Sequence, residues 1–224
     1  TKLPALQTDD VASAERSEPS ARRGSVGSAL RHGQLRWGVV AQFFYVGAQV
    51  CVTSFFIRFA KFTSNVPEKD AALWLGFAMF GFMVGRFFGT FLTRYVPAPR
   101  LLTAYALISI AMLDVAMTLS RPGGTGGSEL AVWAVMAVPF FMSIMFPTIF
   151  SLAIHQLRDD TQLGSSLLVM SIVGGALCPL LMGWLSDQID IRVAYVVPLA
   201  CFVAVALYGW RGYKIREEKT VIPT

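Results

Sequence analysis

Four polar side chains recur at helical spacing within an otherwise apolar stretch. They are Gln42, Tyr45, Gln49 and Thr53 in "AQFFYVGAQVCVTSFFIRF", residues 41–59. At about 100° per residue they fall within about 80° of one another on one helix face. A carboxamide moved into hydrocarbon without a partner costs several kcal/mol on transfer scales. Such a face therefore needs either a neighbouring helix to bond to or a water-filled cavity. Amides beside an aromatic ring suit the second setting when the ligand carries many hydroxyls. These four residues are the candidate ligand-lining set.

Two charges stand apart from this face. Arg86 lies within "GFAMFGFMVGRFFGTFLTR", residues 76–94, and Asp114 is the one acidic residue well inside an apolar block. An arginine in the middle of such a block marks either a functional site or a side chain that snorkels to the nearer surface. Asp114 fits a proton carrier, a partner for Arg86, or a structural hydrogen bond. His155 reads as interfacial, and Asp159, Asp160 or Thr161 as a helix N-cap.

The elements that hold these residues follow from composition. Of 224 residues 54% are hydrophobic and 15% charged, against roughly 25% charged in soluble domains. Six blocks approach or exceed the roughly 20 apolar residues needed to cross about 30 Å of hydrocarbon. They are Trp37 to Ile57, Ala71 to Leu92, Leu101 to Leu119, Leu130 to Ile154, Leu163 to Leu185, and Val193 to Trp210. The chain is expected to be an all-α membrane protein with six transmembrane helices. Cys51, Cys178 and Cys201 fall inside these blocks without CxxC spacing. They read as packing residues, and no metal site is expected.

Several residues are placed to bend or gate the spans: Gly47 in the first, Pro139 and Pro147 in the fourth, and Gly174, Gly175 and Pro179 in the fifth. A proline removes a backbone hydrogen bond, which spans tolerate beside a cavity or a neighbour that satisfies the freed carbonyl. Interrupted spans of this kind point to transport sites. Gly81, Gly85 and Gly89 repeat every four residues and form a stripe for close helix contact. Apart from Asp114, the third and sixth spans are nearly all apolar and read as outer helices.

The net charge of +5 needs no nucleic-acid partner, because Lys and Arg gather in loops on the cytoplasmic side of membrane proteins. Six spans place Arg31, Arg36, Arg211, Lys214 and Arg216 on one side, so both ends of the segment are expected in the cytoplasm. Residues 1–34 form a polar tract rich in Ser, Arg, Glu and Gly, read as a disordered central-loop linker. Residues 35–211 are the six-helix unit and 212–224 a cytoplasmic tail. A linker at the start, with Thr rather than Met first, leads to the expectation that more protein lies upstream.

The second and fifth spans end alike, in Gly89-x-x-x-Thr93-Arg94 and Gly183-x-x-x-Asp187, as in a 3+3 inverted repeat. These endings resemble the Gly-x-x-x-Asp-Arg loop signature of the major facilitator superfamily, with Thr93 in place of its usual Asp. More specific are "VAQFFYVGAQ" (40–49) with "FFIRFA" (55–60), "GRFFGTFL" (85–92), "FMSIMFPTIFSLAI" (141–154) and "LGSSLLVMSIVGGA" (163–176). Together they resemble the C-terminal half of fucose permeases, in the fucose–galactose–hexose proton symporter family of that superfamily. "KLPAL" (2–6) resembles the family's central loop.

The resemblance covers residues from about 35 to about 210 and makes the spans helices 7 to 12. It implies a bacterial inner-membrane symporter that imports L-fucose, or glucose, galactose or another hexose, by alternating access. Protons would be the coupling ion and no cofactor would be required. The proton-coupling acids of that family lie in its N-terminal half, so no residue here inherits the role. The implied partners are an N-terminal six-helix half, a sugar and the bilayer. Two other function classes fit worse. An enzyme needs clustered acids, a metal set or a Ser/Lys dyad inside the spans, and none has suitable spacing. A channel or non-transporting six-span subunit calls for a filter-like loop or a ring-forming polar helix, which the sequence lacks.

Overall fold

The computed structural model describes residues 33–120, 128–155, 157 and 161–211. The parts of the expected linker and tail at 1–32 and 212–224 lie outside the described residues, as do Asp159 and Asp160. The first span is α1 (Gly33–Ser64), the second α2 (Glu68–Leu92) and the third α3 (Ala98–Leu119). The fourth consists of α4 (Ser128–Met142) and α5 (Met145–Ile154). The fifth is α6 (Thr161–Met170), a 3₁₀ turn (Ser171–Val173) and α7 (Gly174–Gln188). The sixth is α8 (Ile191–Ala194) and α9 (Val196–Arg211). All six are long and apolar enough to cross a membrane.

Local chemistry sets the boundaries. At 32 residues, α1 is about 48 Å long at 1.5 Å per residue. That exceeds the hydrocarbon thickness, so Arg58 and Lys61 reach water. Asn65 ends α1 in the left-handed region (φ 51°), a conformation its short amide side chain tolerates. Its N–H bonds the Lys61 carbonyl at 3.0 Å. Pro67 then precedes α2, whose first turn holds Glu68 and Asp70, acids that favour a helix N-terminus. Asp190 caps α8 by accepting the Arg192 N–H at 3.0 Å.

The second, fourth, first and fifth spans stand side by side in that order, with the third and sixth packed behind the fourth and first. Helix α1 is the pillar of this arrangement. Ala48, Cys51, Val52, Phe56, Phe59 and Ala60 along it are wholly enclosed. The third and sixth spans do form the outer row, yet they are not the least covered. Along their most apolar stretch only 17% of the second and 28% of the fifth is buried, against 39% and 50% for the third and sixth. The reason is position: the second and fifth end the row and lack a neighbour on one side.

Candidate functional site

The site is organised around the interruption of the fourth span. Pro139 continues within α4, and the helix opens at Ser143 and Ile144 before resuming at Met145. Pro147 has no N–H, so the Ser143 carbonyl has no helical donor four residues on. Two side chains from other spans meet the carbonyls exposed here. The Tyr45 hydroxyl donates to Met142 O at 2.8 Å, and Arg86 Nε donates to Ser143 O at 3.4 Å. Ser143 turns its own hydroxyl onto Phe140 O at 2.7 Å. Arg86 also lies 5.2 Å from the centroid of the Phe82 ring, within range of a cation–π contact. Its guanidinium is otherwise exposed.

Glycines allow this approach. A Cβ on Gly85 would collide with Phe140 O and lie 2.7 Å from Ser143 Oγ, and one on Gly89 would meet Ile144 Cδ1 at 2.9 Å. The stripe expected on the second span is therefore real at two of its three positions. Gly81 faces open space.

The polar face of α1 divides in two. Gln42 and Tyr45 are fully enclosed, whereas Gln49 and Thr53 are half-buried. In this conformation the first pair sits inside the bundle rather than on an open wall, because that part of α1 is turned toward the fourth span. Tyr45 is committed to Met142 and packs its ring edge-on near Phe146, 6.1 Å between centroids. Thr53 bonds back to its own helix, at 3.0 Å to Gln49 O and 3.3 Å to Val50 O. Gln42 has neither amide atom bonded to a described residue. An enclosed carboxamide in that state costs about 1–3 kcal/mol.

Gly47 does not bend α1, which runs unbroken through it. Instead it lets Cys178 Sγ of the fifth span sit against the helix backbone. Gly174 serves the same end, since a Cβ there would collide with Phe43 O. Gly175 faces the tips of Val46 and Val50 at 3.0 and 3.1 Å. These three glycines are close-approach positions. The interruption in the fifth span comes just before the pair, as the 3₁₀ turn, and α7 continues through Pro179.

Arg86 and Asp114 do not pair. Asp114 is exposed on the outer-row helix α3, and its backbone carbonyl accepts the Thr118 hydroxyl at 2.9 Å. Among the described residues the ion pairs are Arg58–Asp187 at 2.7 Å and Lys61–Glu68 at 2.6 Å. The first was missed in the sequence, although Asp187 stood out in the Gly-x-x-x-Asp ending and Arg58 lies near the end of span one. Topology puts those two span ends at one membrane face, a signal that could have paired them. It also ties the fifth-span ending to α1, while Thr93 at the corresponding place merely bonds Thr90 O at 2.7 Å.

No protein-family model matches the chain. It is 38% identical over 215 residues to a glucose/galactose transporter of Brucella abortus, covering 95% of this chain and 48% of that protein. It is 37% identical over 213 residues to the L-fucose-proton symporter of Escherichia coli, covering 93% and 46%. A putative glucose/galactose transporter of Helicobacter pylori is 35% identical over 196 residues, covering 85% and 46%. Among solved structures, the major facilitator superfamily transporter FucP in its outward conformation superposes with a TM-score of 0.77. It is 36% identical, over 94% of this chain and 49% of that one. The chain spans about half the length of the curated relatives it matches.

Proposed function

We propose, from the premise that this chain belongs to the major facilitator superfamily and is a six-helix C-terminal half of its fold, that it forms one wall of a proton-coupled sugar carrier. The observation that carries this reading is joint likeness, over nearly the whole chain, to an L-fucose-proton symporter and to a glucose/galactose transporter. The opposite wall and the proton-coupling acids would come from an N-terminal six-helix half. Cytoplasmic termini and a bacterial inner membrane go with the same reading.

The sugar would sit against the front row of helices, at the exposed part of the α1 face. Gln49 and Thr53 are half-buried there and are the foremost lining residues. Gln42 and Tyr45 would join the wall only in a conformation where the fourth span moves, because both are now enclosed. The Ser143–Ile144 break supplies a place for that movement, and Arg86 reaches it from the second span. L-Fucose is the favoured substrate on the sequence motifs. Glucose or galactose has independent support in the 38% identity to a glucose/galactose transporter.

The test uses the chain assembled with an N-terminal half in proteoliposomes. An imposed pH gradient, acid outside, should drive accumulation of labelled L-fucose, and a protonophore should abolish it. Uptake indifferent to the gradient rules out symport. Stronger competition by glucose or galactose than by fucose reassigns the sugar.

A further inference from the structure

On the other side of α1 from the polar face, two apolar cavities open outward and share a ridge. One, of about 350 Å³, is lined by Trp37, Val40 and Phe44 of α1 with Leu207, Tyr208 and Arg211 of α9. The second, of about 370 Å³, shares Val40 and Phe44 and is closed by Leu167, Met170 and Val173 of the fifth span. Away from the turn that joins them, where Ile191–Ala194 packs on α7, the fifth and sixth spans scarcely touch, so α1 is the floor of a cleft between them. Trp37, Val40 and Phe44 lie about 120–180° around the helix from Gln49 and Thr53. The cleft therefore faces away from the proposed sugar wall, toward surrounding lipid.

We propose that this cleft binds one two-chain anionic phospholipid, with an acyl chain in each lobe and the headgroup phosphate on Arg211. Three observations select this occupant. The lobes are paired against one helix and apolar. Among the described residues the charges at the rim are both cationic, with Arg211 lining the first lobe and Arg36 exposed one residue before Trp37. Trp37 and Trp210 are exposed at the same end, at 55% and 62%, where indole rings mark the headgroup level. Basic residues at that level attract anionic headgroups. The neighbouring stretch of this chain, "GYKIREEKTVIPT" (212–224), is too polar to fill two apolar lobes.

Native mass spectrometry of the full chain from micelles, with equal phosphatidylglycerol and phosphatidylcholine added, tests the assignment. Phosphatidylglycerol should be retained about five-fold over phosphatidylcholine, the ratio expected from one basic contact at the headgroup level. Arg211→Gln should bring the two lipids toward parity. Leu207→Trp, which fills a lobe, should lower retention of both. Quenching of indole fluorescence by phosphatidylglycerol brominated on its chains gives a second reading that needs no cleft variant to fold, and Trp37→Phe should remove part of it. Equal retention of the two lipids by the unaltered chain overturns the proposal. So does displacement of phosphatidylglycerol by millimolar inorganic phosphate, which would reduce the site to a bare anion contact. Lipid retained only after residues 212–224 are deleted would assign the cleft to the tail and also overturn it.

Discussion

The fourth and fifth spans are both interrupted and both contain proline, yet they are held in opposite ways. The fourth opens at Ser143–Ile144, and its exposed carbonyls are met by side chains from outside, Tyr45 and Arg86. The fifth tightens into the 3₁₀ turn Ser171–Val173, and Gly174 just after it lies directly on the α1 backbone. One interruption is propped by hydrogen bonds that can be exchanged. The other is wedged by close packing that leaves no room for a Cβ at Gly174. The fourth span is thus the better candidate for movement, and the fifth for a fixed seam with α1.

The largest effect should come from attacking the seam. In Gly174→Val the new Cβ meets the Phe43 carbonyl, which is backbone and cannot rotate aside. Overpacking of this kind costs about 1–3 kcal/mol and occasionally more, so a large drop in thermal unfolding midpoint in detergent is expected. Gly175→Ala should be much milder, because it meets only the methyl tips of Val46 and Val50. Equal effects at the two positions would mean that the seam is not set by backbone contact.

Next is the prop from α1. Tyr45→Phe keeps the ring against Phe146 but removes the donor to Met142 O. Leaving an enclosed carbonyl unmet costs about 1–3 kcal/mol, and the midpoint should fall accordingly. Arg86→Gln should cost less, about 0.5–1 kcal/mol, since the 3.4 Å bond is long and the guanidinium is exposed. In the assembled carrier the order should reverse. If Arg86 governs how the break moves, uptake falls more in Arg86→Gln than in Tyr45→Phe. Uptake that merely follows stability in both variants would make the two props simple braces.

How much of this contrast could be read in the sequence depends on the kind of interaction. Six spans were legible because hydrophobic block length is a local property. The half-fold was legible through motifs on the first, second, fourth and fifth spans. Pro147 was legible as the reason the Ser143 carbonyl lacks a helical donor, since a missing N–H is written in the residue type. What the sequence could not give was the partner of each polar group. Gln42 and Tyr45 looked like cavity residues from their shared face, but whether a face meets water or a neighbour depends on how spans far apart in the chain pack. Gly47 and Gly175 looked like flexing points for the same reason. A glycine that loosens a helix and one that admits a neighbour are identical until the neighbour is placed. The Arg58–Asp187 pair, 129 residues apart, was beyond any local pattern.

The smallest effect on stability, and the most telling sign, belongs to Gln42→Leu. Both amide atoms of Gln42 lack a described partner, and the residue is fully enclosed. Replacing such a group by an apolar side chain of similar shape is close to neutral or stabilising. The unfolding midpoint of the chain should therefore hold or rise slightly. A carboxamide kept enclosed without a bond in one conformation is, however, suited to be used in another, where the fourth span has shifted and α1 is uncovered. That use predicts the opposite sign in the assembled carrier: a raised half-saturation concentration for the sugar, or slower turnover, despite equal or better stability. A variant both as stable and as active as the parent would make Gln42 a packing residue, leaving Gln49 and Thr53 as the whole of the α1 contribution to the wall.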